Sequence, residues 1–173
     1  MHESLQFWSN FYLLTGTAAA TLIGLMFIAM TFGSKLITAE TAGSAKSILS
    51  AIMNHFIHIF LLACMALVPQ EGTMFFGIVA LTLGALRLVR IPAIAAQLVN
   101  TKKQGHPIEV SDWVYSVILP TGIFLLFIVC GIALTQGSDW ALNGIGFLAI
   151  GLLTLGIVSA WEMLVWMASA VSR

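Results

Sequence analysis

Long apolar runs separated by short polar breaks dominate the chain. A membrane-spanning helix needs roughly 20 apolar residues. Five segments reach that length: 11–33, 47–68, 73 to about 100, 112–136 and 139 to nearly 173. Pro69 closes the second, and Gly137-Ser138 separates the fourth from the fifth. The pattern predicts an all-α integral membrane bundle of five transmembrane helices, one domain over 1–173. Met1-His2-Glu3-Ser4 lacks the basic start of a signal peptide, and the first apolar run is longer than a signal core, so a retained helix is expected. Pro120 removes a ladder donor inside the fourth helix and predicts a kink near Ser116. The fifth segment, about 50 Å long by rise, must tilt, break or project beyond the roughly 30 Å hydrocarbon core.

Composition agrees with this reading. Hydrophobic residues make up 60% and charged residues 8%, against roughly 25% charged in a soluble domain. Seven basic and seven acidic residues cancel, and no basic arm points to a nucleic-acid partner. Basic residues mark the cytoplasmic side. With the N-terminus outside and the C-terminus cytoplasmic, Lys35, Lys46, Lys102, Lys103 and Arg173 all fall on the inner side. Arg87 and Arg90 lie toward the inner end of the third helix, and the outer loops carry only Glu71 and Asp139.

Lipid supplies no hydrophobic drive between helices, so small and polar residues carry the information. On the first helix Gly16, Thr17, Ala20, Thr21, Gly24 and Thr31 share one face, with Leu22, Leu25 and Met26 opposite. That face is the expected tightest packing seam, its threonines bonding back to their own helix; lining a polar path is the alternative. On the second helix Ser47, Ser50, Ala51, Asn54 and His58 form a polar stripe with His55 at its edge, and Leu49, Met53, Phe56 and Phe60 face away. His58 lies about 16 Å from the inner end, near mid-bilayer. On the third helix Arg87 shares a face with Thr73, Gly77, Ala80 and Gly84, which makes Gly77 and Gly84 further packing candidates. Asp112 and Glu162 stand at the depth of Arg90, and either is expected to pair with an arginine. Asn54, His55, His58, Arg87, Arg90, Asp112 and Glu162 therefore gather in the inner half of the bilayer.

Three functions suit such a cluster. The first is permeation through a homo-oligomeric channel or transporter-like pore, with arginines favouring a small anion and histidines responding to pH. The second is an accessory or scaffold role beside a partner membrane subunit. The third is haem or a transition metal on His55 and His58, with Met26, Met30, Met53 or Met65 as soft ligands. No nucleophile–base pair points to an enzyme. Cys64 and Cys130 show no CxxC or zinc spacing. They are expected as buried thiols, and their similar depth makes a disulfide conceivable.

The run Phe11-Tyr12-Leu13-Leu14-Thr15-Gly16-Thr17-Ala18-Ala19-Ala20-Thr21-Leu22-Ile23-Gly24-Leu25-Met26-Phe27, the His55-Phe56 step and Ala160-Trp161-Glu162 resemble a family of short bacterial membrane proteins of unknown function. Ala-Trp-Asp commonly stands near the end in that family. The resemblance implies a bacterial inner-membrane location and no particular activity.

Overall fold

The computed structural model describes residues 8–33, 42–69, 73–103 and 113–171. These form five α-helices: α1 (Ser9–Gly33), α2 (Ala42–Leu67), α3 (Met74–Lys103), α4 (Leu119–Thr135) and α5 (Trp140–Val171). A π-helical turn, Val114–Ile118, leads into α4. Four helices (α1, α2, α3 and α5) are long and apolar enough to cross a membrane, with mean hydropathies of 2.0, 1.8, 1.8 and 2.1 over their apolar stretches. α4 alone has 17 residues, and the π turn lengthens it by five. Leu14, Phe32, Val89 and Phe147 are at least 70% exposed. Helices of that length wearing that apolar coat suit a lipid environment.

The helix ends follow from local chemistry. Gly137 adopts φ 81° and closes α4, where the Gly137 and Ser138 amides donate to Leu134 and Ala133. That positive φ is inexpensive only for glycine. The kink predicted at Pro120 takes the form of the π turn. Proline offers no amide to Ser116, and the Leu119 amide reaches five residues back to Val114. Thr121 then bonds to the Val117 carbonyl. α5 runs unbroken for 32 residues, about 48 Å by rise.

The helices pack as two consecutive hairpins, α1 with α2 and α3 with α4, and α5 lies against α4, α2 and α1. Contact between the hairpins, α2 to α3, is slighter. Small residues set the close approaches. A Cβ at Gly77 would stand 2.9 Å from the Gly131 carbonyl oxygen, and one at Gly131 would stand 2.9 Å from the Gly77 carbonyl oxygen. A Cβ at Gly84 would stand 3.1 Å from the Phe124 carbonyl oxygen. α3 and α4 thus touch backbone to backbone.

Two predicted faces are corrected. The α1 seam is Tyr12, Thr15, Gly16, Ala19 and Met26. Of the predicted seam only Gly16 packs, where an added Cβ would stand 2.8 Å from Ala63 Cβ, whereas Ala20 is exposed and Gly24 meets open space. Met26 faces inward, 4% exposed. On α2 the innermost face carries Leu49, Ile52, Phe56 and Ile59, not the polar stripe. Bulky apolar groups fill the space between hairpins and α5, and the stripe lies on the flank.

Candidate functional site

His55, His58 and Arg87 come together where the two hairpins face each other. α2 contributes His55 and His58, α3 contributes Arg87, and α4 contributes Phe124, whose ring meets both His58 and Arg87, while Asn54 backs His58 from the exposed flank of α2. The stripe on α2 is a ladder of i to i+4 bonds. Asn54 Nδ2 donates to the Ser50 carbonyl at 2.7 Å, and His58 Nδ1 lies 2.6 Å from the Asn54 carbonyl. A carbonyl accepts only, so Nδ1 carries the hydrogen, and His58 also reaches the Leu83 backbone on α3. The His58 ring meets the edge of Phe124 at 5.1 Å. It borders a void of about 10 Å³ with Ala80, Leu83, Gly84, Phe124 and Phe127, room for about one water.

Arg87 is the cluster's charge. It is 3% exposed, on the buried face of α3 that also carries Thr73, Ala80 and the two glycines. Its Cζ lies 5.9 Å from the Phe124 ring centre. Its Nε and Nη2 are buried without a hydrogen-bond partner among the described residues. His55, 2% exposed, has neither ring nitrogen partnered among them. Both histidines lie within electrostatic reach of Arg87. Buried polar atoms are nearly always satisfied, so this concentration of open polar atoms makes the cluster the candidate site.

The other predicted residues divide. Arg90 is close enough to feel Arg87 but is exposed. Glu162 is exposed on α5 and does not partner the Nε or Nη2 of Arg87, so that expected pair is not formed there. Asp112 lies outside the described residues. Thr17 and Thr21 donate to Leu13 and Thr17 carbonyls at 2.7 and 2.9 Å and face outward, not toward the cluster. Neither contributes to a polar path within the chain. Cys64 is exposed and Cys130 buried, and both are free thiols, so no disulfide joins them. Met26 is buried, and Met30 and Met53 pack against the apolar core. No group of three or more His, Cys, Asp or Glu suited to a metal occurs among the described residues.

Thr15 and Tyr12 are buried polar residues that escaped the sequence reading. Tyr12 is 1% exposed, its hydroxyl has no partner, and it sits edge-on to Phe76 at 5.4 Å. Its position on the α1 seam with Gly16 is the signal that marks it.

Compared with known protein families, curated proteins and solved structures, the chain matches none.

Proposed function

We propose that the chain is a multi-pass protein of the bacterial inner membrane that passes a small ion. Five spans run from an outside N-terminus to a cytoplasmic C-terminus, and His55, His58 and Arg87 form the selective element. The observation that carries this reading is the buried guanidinium of Arg87 with Nε and Nη2 unpartnered, beside the unpartnered ring of His55. An arginine near a helix centre costs about 2.5–3.5 kcal/mol on insertion scales. A chain with no use for that charge would be more stable without it, and intramembrane cations commonly mark ion paths. The cationic surroundings favour an anion.

The cluster lies inside one chain, so a path within each protomer fits better than a central axis between copies. The 10 Å³ void has room for no polyatomic anion, so under this reading the present arrangement is the closed one. Flux from proteoliposomes tests the reading. Wild type is expected to release anions, and Arg87→Gln and His55→Ala are expected to slow or stop release. Wild-type vesicles no leakier than protein-free ones would end it.

The second reading, an accessory or homo-oligomeric membrane subunit, draws on the outward small face of α1. Thr17, Ala20, Thr21 and Gly24 are exposed there, and such faces let helices of neighbouring chains approach closely. Stoichiometric co-purification with one membrane partner, without flux, would favour it.

A further inference from the structure

Guanidinium groups are not uniform cations. Nε–H and the neighbouring Nη2–H point the same way and form one flat edge of the fork. Two coplanar oxygens fit such an edge through two parallel hydrogen bonds, whereas a spherical halide cannot satisfy both at ideal geometry. In Arg87 these are the two atoms that are buried and without a partner.

We propose that Arg87 offers its Nε/Nη2 edge to a small planar oxyanion with two coplanar oxygens, of the carboxylate type, and that this is the ion class of the cluster. The inference deepens the permeation reading by naming the ligand of the same residues. His55 supplies the next contact. A neutral imidazole always has one N–H to donate, and neither His55 nitrogen is engaged elsewhere. His58 has a different task, because its Nδ1–H is already given to the Asn54 carbonyl. It supports the Phe124 ring. That ring lies over the guanidinium and must shift to admit the anion. Lysine in place of Arg87 would keep the charge and lose the flat edge.

The test uses the full-length protein with formate, nitrate and chloride at equal ionic strength. Binding is read as the half-saturating concentration for thermal stabilisation in detergent, and transport as the efflux ratio from proteoliposomes. Formate and nitrate, both planar with paired oxygens, are expected to half-saturate about tenfold below chloride, the yield of one additional charge-assisted hydrogen bond. Arg87→Lys is expected to keep chloride efflux while the formate-to-chloride ratio falls toward unity. Equal half-saturation by all three anions in wild type would overturn the proposal, as would a ratio unchanged in Arg87→Lys. The wild-type series decides the matter even where the variant fails to fold. Formate preference without any efflux would remove permeation and leave the binding site. Arg87-dependent efflux without formate preference would do the reverse.

Discussion

Arg87 holds its guanidinium carbon 5.9 Å from the centre of the Phe124 ring. That ring also takes the edge of His58 at 5.1 Å. A desolvated cation–π contact is worth about 2 kcal/mol. The insertion cost of arginine is about 2.5–3.5 kcal/mol. The aromatic ring therefore offsets most of the burden of the charge, and a remainder of about 1 kcal/mol stays uncompensated.

Arg87→Met should raise the melting temperature and abolish anion efflux. The gain expected is that remainder, about 1 kcal/mol. Thermal unfolding in detergent beside the efflux assay checks both halves, and a variant that is less stable and still active contradicts the assignment.

Phe124→Ala should lower stability and speed ion release. The buried ring is 1% exposed, and Phe→Ala changes in cores cost about 3–5 kcal/mol. Efflux rates per reconstituted protein measure the second effect; slower release would deny the ring its covering role.

Gly131→Val should weaken the α3–α4 seam by about 1–3 kcal/mol, because the added carbons meet backbone that has nowhere to go. Gly24→Val should leave the monomer's melting point nearly unchanged, since nothing lies within 4 Å of that site. Comparing the two melting curves checks the packing, and equal losses would speak against it.

N-ethylmaleimide applied to the folded protein in detergent should modify Cys64 and spare Cys130 until the chain is denatured. Peptide mass spectrometry reads the two sites separately. Early labelling of Cys130 would mean that α4 is turned the other way.

The proposed orientation places Lys102 and Asp139 on opposite sides of the membrane. In a background with Cys64→Ser and Cys130→Ser, Lys102→Cys should react with an impermeant thiol reagent only from the cytoplasmic side, and Asp139→Cys only from the outer side. Labelling of both from one side would refute the arrangement.

The five rods and their boundaries are legible in the residues, because apolar length, Pro69 and Gly137 act locally. So is the α3 face carrying Gly77, Gly84 and Arg87, where small and charged residues coincide. The inward faces of α1 and α2 are not legible in the same way. In lipid both sides of a helix are apolar, so hydropathy does not say whether Leu49 or Leu14 lies in the core. Thr17 and Thr21 satisfy their hydroxyls on their own helix, so polarity does not force them inward. Gly131 gains its meaning only when Gly77 comes opposite. The lack of partners at Arg87 and His55 is a property of three-dimensional neighbours, and no spacing along the chain announces it.

The two glycine-tight hairpins carry different halves of the cluster, the histidines on one and Arg87 with Phe124 on the other. Backbone contact at Gly77 and Gly131 resists sliding within a pair, while the joint between pairs is looser. α5 packs on both pairs and ties them together, so any rocking along that joint would have to slide a pair past α5. Under the proposed permeation reading, such a tilt would part imidazole from guanidinium without unwinding a single helical turn.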